Sequence, residues 1–228
     1  MATIVFIVFP YVAVGLAIGV AIYRRHVRPY TYSALSSQML ESGRLFWGSV
    51  PWHYGISLIL LAHLLAFIFP GAAAWILGSP VRLFTAEAIG LALGFYTVFG
   101  LAVLIIRRLP GDSRASAVSS GMDWVLLVFL AIQVATGVAL ALFDRWGSLW
   151  FLSSAVPWLR SLVTFTPDAS TVVGLPALIQ VHFVCGFILI LLFPFSRLVH
   201  VFRLPLHYLW RPYQVVIWNS RERREPQL

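Results

Sequence analysis

Residues 52–70 read WHYGISLILLAHLLAFIFP, and residues 181–200 read VHFVCGFILILLFPFSRLVH. Each is close to the about 20 mostly apolar residues that a membrane-crossing helix needs. Each also carries two histidines: His53 and His63 in the first, His182 and His200 in the second. An imidazole at membrane depth is costly unless it is paired or ligated, which makes these four rings functional candidates. Two rings on each of two segments point to two metal centres held between a pair of helices. Iron porphyrin suits that setting, because a helix bundle accommodates a flat apolar disc and imidazole is a common axial ligand.

The composition agrees with a membrane setting. The 228 residues are 60% hydrophobic and 11% charged, with a mean hydropathy of +0.88. A soluble domain is nearer half apolar and a quarter charged. The formal charge is +8, and all 16 basic residues are Arg. They sit in short clusters beside apolar runs, as membrane topology requires. They form no stripe interleaved with exposed aromatics, which argues against a nucleic-acid partner. The single cysteine, Cys185, lies in an apolar run and reads as a small core residue. No CxxCH motif occurs, so any haem is of b type, held by coordination and packing.

Five segments qualify as spans: about 2–22, 52–70, 86–106, 122–143 and 174–203. Pro10 and Pro194 fall within the first and last, and neighbours in a bundle can satisfy the carbonyls they free. Arg24, Arg25, Arg28 and Arg44 follow span one, and Arg107, Arg108 and Arg114 follow span three. Arg197, Arg203, Arg211, Arg221, Arg223 and Arg224 mark the end of span five and the tail. Only Arg82, Arg145 and Arg160 fall on the other side. The positive-inside rule then places the N-terminus outside and the C-terminus in the cytoplasm. The fold class expected is all-α: a single domain over 1–228, a five-helix membrane bundle with a cytoplasmic tail at 204–228. The loop 144–173 contains SLWFLSSAVPWLRSLV, which fits a short helix lying in the interface or a lid over a quinone pocket. The tail suits anionic lipid headgroups or a soluble partner. His26 and His207 read as interfacial.

Topology selects the pairing. Spans two and five are antiparallel, so His53 pairs with His200 near the cytoplasm and His63 with His182 toward the outer face. Ten residues of helix separate the first two, about 15 Å; eighteen separate the others, about 27 Å. Tilt, slanted haem planes or a bend at Pro194 must absorb the difference. Gly55, Gly90, Gly94, Gly121, Gly137 and Gly186 offer either clearance for a macrocycle or ordinary close packing of helices. Arg197, three residues before His200, is a candidate for a haem propionate or a snorkelling topology residue.

These features resemble the gamma subunit of respiratory nitrate reductase, a di-haem cytochrome b that anchors a cytoplasmic catalytic dimer. The likeness runs from about 30 to 216. It rests on YTYSALSSQML (30–40), the His53–His63 span, RSLVTF (160–165), FPFSRLVH (193–200) and PLHYLWRPYQVV (205–216). The resemblance implies a multi-pass protein of a prokaryotic inner membrane with two haem b groups. It implies quinol oxidation near the outer face. Electrons would pass from the distal haem (His63, His182) to the proximal haem (His53, His200). An iron–sulfur beta subunit and a molybdenum alpha subunit on the cytoplasmic side would then reduce nitrate. Protons released outside and electrons moved inward would make the step electrogenic. The family offers a Lys before span three for quinol, and this chain has none. Arg82, in SPVRLFTAE, stands at the corresponding place as a candidate quinol contact; Glu87 and Asp168 are candidates to carry protons. Two alternatives remain. One is a di-haem subunit of a sulfur-compound, chlorate or heterodisulfide system. The other is a haem-free anchor or transporter whose histidines only hydrogen-bond.

Overall fold

A computed structural model describes residues 1–28, 43–109, 119–144 and 146–203. The motifs at 30–40 and 205–216, His207 and the tail at 204–228 lie outside the described residues. Helix α1 (Phe9–Val27) continues a π-helical turn at Ile4–Val8; α2 spans Gly43–Ile68, α3 Pro70–Leu77, α4 Pro80–Ile106 and α5 Gly121–Phe143. Short α6 (Gly147–Trp150), a π-helical turn (Phe151–Ala155) and α7 (Val156–Val163) follow without a break. After α8 (Ser170–Val173) comes α9 (Ala177–Leu192), then 3₁₀ turns at Phe193–Phe195 and Arg197–Arg203.

Among the described residues, five helices are long and apolar enough to cross a membrane: Ile4–Val27, Leu45–Ile68, Pro80–Ile106, Gly121–Phe143 and Ala177–Phe195. Their number matches the expectation from sequence. Their boundaries differ most at the last, expected over 174–203, where α9 ends at Leu192. Pro194 removes a backbone donor, and Ser196 is extended (φ −111°, ψ 179°), so no helix continues through it. Arg24 from α1 donates to the Pro194 carbonyl and closes that end.

Helix α2 packs along α4, α4 against α5, α5 against α9, and α9 against α1. The two histidine-bearing helices thus stand on either side of the α4–α5 pair. The α2–α4 seam is tight because both helices present small residues there. A Cβ on Gly100 would fall 2.4 Å from the Trp52 backbone nitrogen, and one on Gly55 would fall 2.3 Å from Thr97 Oγ1. Gly55 therefore serves helix packing, and Gly94 likewise, where a Cβ would meet Val138 Cγ2 at 3.0 Å. Gly90 and Gly121 face nothing within 4 Å.

The segment 147–163 covers one end of the bundle. Trp158 and Leu162 are buried with Phe6 and Val172. Trp158 also packs on the Phe183 and Phe187 rings. Its indole N–H donates to the Phe6 carbonyl at 2.9 Å. That carbonyl lies four residues before Pro10, whose ring nitrogen carries no hydrogen to offer it. Phe165 ends α7 in a left-handed conformation (φ 58°), usually a glycine position. Its ring stacks on Tyr11 at 6.0 Å, and the Tyr11 hydroxyl donates to Leu162 O at 2.8 Å.

Candidate functional site

Helix α2 carries His53 and His63 ten residues apart, and α9 continues only ten residues beyond His182 before it breaks at Leu192. Both lengths are about 15 Å. The 3₁₀ segment Arg197–Arg203 then brings His200 beside His53, with ring centroids 6.0 Å apart and planes at 75°. The apparent excess along the fifth span is absorbed by that break.

At the other level the two histidines are held separately, His63 on α2 and His182 on α9. Phe151 meets His63 edge-on at 5.0 Å. His53, His63 and His200 are exposed rings, and His182 is half-buried. Among the described residues, no three His, Cys, Asp or Glu side chains converge.

The tautomers follow from the hydrogen bonds. His53 Nδ1 lies 2.7 Å from Ser49 O, His63 Nδ1 2.8 Å from Ile59 O, and His200 Nδ1 2.7 Å from Arg197 O. A carbonyl only accepts, so each Nδ1 carries the hydrogen and each Nε2 is left basic. His182 is held differently, across helices. Its Nδ1 is 2.9 Å from Thr136 Oγ1 and its Nε2 is 3.1 Å from the Gln133 amide nitrogen. Gly137 makes room: a Cβ there would come within 3.1 Å of His182 Cε1. Gly137 was expected to serve either macrocycle clearance or close helix packing, whereas Gln133 and Thr136 were not singled out, since a T at i+3 from Q does not advertise such a contact.

The remaining candidates have structural partners. Arg197 Nε donates to Asp123 Oδ1 at 2.8 Å. Asp123 is 3% exposed, lies 3.9 Å from Arg108 NH1, and forms a capping box with Ser120 at the start of α5. Arg108 has its pKa lowered, first by burial. Arg82 donates to Ile76 O at 2.8 Å and Trp75 O at 2.9 Å. Its guanidinium lies 5.0 Å from the Trp75 ring centre, so it closes the C-terminus of α3. Glu87 Oε1 accepts from the Ser148 N–H at 2.8 Å and the Ser148 hydroxyl at 2.6 Å, tethering α4 to α6. Asp168 accepts from Ser170 N at 2.8 Å in the loop after α7. Arg160, near the same end, reaches the last carbonyls of α2 at Phe67 and Ile68.

Comparison with known proteins decides the family. A model described as nitrate reductase gamma subunit matches residues 2–219. The chain belongs to the nitrate reductase gamma subunit family. It is 36% identical to the nitrate reductase gamma chain of Bacillus subtilis (strain 168), covering 94% of this chain and 96% of that one. It is 35% identical to the respiratory nitrate reductase 1 gamma chain of Escherichia coli (strain K12), over 92% and 95% of the two chains. The respiratory nitrate reductase 2 gamma chain of the same organism is 32% identical, over 92% and 93%. With five apolar helices, this gamma subunit is a multi-pass membrane protein of an oxidoreductase complex.

Proposed function

We propose that this gamma subunit oxidises quinol near the outer membrane face and delivers the electrons toward cytoplasmic iron–sulfur and molybdenum subunits for nitrate reduction. Two b-type haems are held in this reading, one by His53 and His200, the other by His63 and His182. The N-terminus is then outside, and the arginine-rich end with Arg24, Arg108 and Arg197 faces the cytoplasm.

The 6.0 Å separation of the His53 and His200 rings carries the proposal. Two imidazoles sharing one metal through Nε2, at about 2 Å per bond, bring their centroids to about 6 Å. The Nδ1 bonds fix the ring orientations and leave the metal-binding nitrogens basic. Exposed rings at membrane depth also call for a covering group. When bound, the haems supply one-electron carriers at two depths.

Quinol loses two electrons and two protons on becoming quinone. We place its site at the His63–His182 end, under the helical segment 147–163. Gln133 Oε1 and Trp150 Nε1 are buried there without hydrogen-bond partners. Gln133 adjoins His182, and the Trp150 ring lies 6.3 Å from Phe183. An incoming polar ligand would satisfy such atoms. Arg82 supports the same end indirectly in this reading, by fixing the α3–α4 corner, and Arg197 approaches a propionate from its place beside Asp123.

Quinol-analogue reduction of the membrane-bound chain tests the assignment. His182→Ala is expected to abolish reduction of bound haem by the analogue. His200→Ala is expected to leave the remaining haem quinol-reducible. Haem reduction by quinol that survives His182→Ala contradicts the placement.

A further inference from the structure

Two polar atoms face one small space beside Gly147, at the end of the bundle that the segment 147–163 covers. A Cβ on Gly147 would lie 3.6 Å from Trp150 Nε1 and 3.9 Å from Glu87 Oε2. The indole nitrogen is buried without a hydrogen-bond partner. Glu87, half-buried on α4, uses Oε1 to accept twice from Ser148, at 2.8 Å from its N–H and 2.6 Å from its hydroxyl. No bond to Oε2 is found among the described residues. Ser148 thus fixes the carboxylate by one oxygen and leaves the other turned to the space. Arg82, the only other charged side chain of α4, spends its guanidinium on the α3 carbonyls and the Trp75 ring.

The chemistry of the space selects its occupant. A buried N–H without a partner calls for an acceptor, and the carboxylate oxygen calls for a donor. A hydroxyl supplies both at one atom. A carbonyl oxygen supplies only the first, and it brings its lone pairs against a negative charge. A quinol carries a hydroxyl where its quinone carries a carbonyl, so the pair of atoms favours the reduced form. An ionisable side chain inside a membrane span is costly to keep, which points to a use for Glu87 beyond a tether.

We infer that Glu87 is the proton acceptor in quinol oxidation: Oε2 takes the hydroxyl proton while Trp150 Nε1 donates to the same quinol oxygen. The inference rests on the quinol reading above and deepens it. The O–H bond breaks, its proton passes to Oε2, and its electron pair stays on the quinol. Two electrons then leave one at a time to oxidised haem iron. The second hydroxyl gives its proton to water, and Glu87 releases the first to water at the same membrane face. One quinol thus yields one quinone, two electrons and two protons. Once Glu87 is ionised again it faces a carbonyl instead of a hydroxyl, and the product loses that bond.

The test uses membranes carrying the assembled complex, with duroquinol as the donor. Glu87→Gln keeps an acceptor for the Ser148 N–H but cannot take a proton. It is expected to lower kcat for duroquinol oxidation about 100-fold and to change KM far less. Infrared difference spectra are expected to show a carboxyl group gaining a proton during wild-type turnover, and to lack that band in Glu87→Gln. Ser148→Ala loosens the same tether but keeps the carboxylate, and is expected to keep the band. Gly147→Ala sets a methyl between the two atoms at ordinary contact distances. It is expected to raise KM several-fold, and it serves if the glutamine variant does not assemble. Four results overturn the inference: near-wild-type kcat in Glu87→Gln, a band that persists in it, a band lost equally in Ser148→Ala, or an unchanged KM in Gly147→Ala. A wild-type complex whose haem duroquinol does not reduce overturns the proposed function instead, so the two failures are distinguishable.

Discussion

Asp123 and Arg197 form an ion pair at 2.8 Å, and the carbonyl of that same Arg197 accepts the Nδ1 hydrogen of His200 at 2.7 Å. The N-terminus of α5 is thereby linked to the segment that presents the inner histidine. Asp123 has no span-five neighbour in sequence, yet it fixes where that span's last turn lies. The carboxylate is buried and also caps its own helix, donated to by Ser120 N at 2.9 Å. Asp123→Ala therefore removes half of the capping box and the carboxylate that faces Arg197 and Arg108. The expected loss is about 3 kcal/mol, discounted because the Arg197 side chain is 26% exposed. Thermal unfolding in detergent checks the stability. On the proposed assignment, the spectrum of the haem held by His53 and His200 is expected to change before that of the other.

Helix α2 touches α4 backbone to backbone at Gly100. A Cβ there meets the Trp52 nitrogen at 2.4 Å and Gly48 O at 2.8 Å, and neither atom belongs to a flexible side-chain end. Gly100→Ala is expected to cost about 3 kcal/mol and to displace His53, the residue after Trp52. Gly90→Ala, which meets nothing within 4 Å, is the control and is expected to be close to neutral. Thermal melts of the two variants, with the inner-haem spectrum, separate a packing effect from a general intolerance of alanine.

Trp158→Phe deletes the indole N–H that satisfies Phe6 O beside Pro10. The ring packing on Phe183 and Phe187 is largely kept. The expected cost is about 1–3 kcal/mol, the penalty of leaving a buried carbonyl unpaired. A melting curve and faster amide exchange in the first turns of α1 report it.

Acid is expected to loosen the loop after α7. The Asp168 carboxyl is held below its ordinary value of 3.8, first by the backbone N–H of Ser170 and then by its side chain. A depressed folded-state value means the stabilisation is present above the unfolded value and is lost as pH falls through the folded one. Amide exchange at Ser170 should therefore accelerate only below about pH 4, and Asp168→Asn should show raised exchange already at neutral pH.

Much of the fold was legible in the sequence because hydropathy writes spans directly. The antiparallel order of spans two and five was enough to set His53 opposite His200. The end of α9 was less legible. Pro194 was visible, but the extended Ser196 that breaks the span is a tertiary outcome, and the length mismatch disappears only with it. Arg82 read as a candidate quinol contact or an interfacial Arg; its bonds to the end of α3 were not legible, because nothing in SPVRLFTAE announces that two-turn helix. Gln133 and Thr136 were hidden for a different reason. Their role depends on α5 and α9 meeting at one depth, and polar residues in a span have no sequence mark for which neighbour they face. The Ser120-x-x-Asp123 pattern could have been read as a capping box, but its link to Arg197 could not.

The central claim is that four imidazoles hold two irons at two levels, and haem stoichiometry with a redox-titrated visible spectrum tests it most directly. Two b-type haems per chain with two resolvable midpoints are expected. His53→Ala or His200→Ala should remove one of them, and His63→Ala or His182→Ala the other. A purified chain that binds no haem, or that loses the same haem in all four variants, would contradict the account.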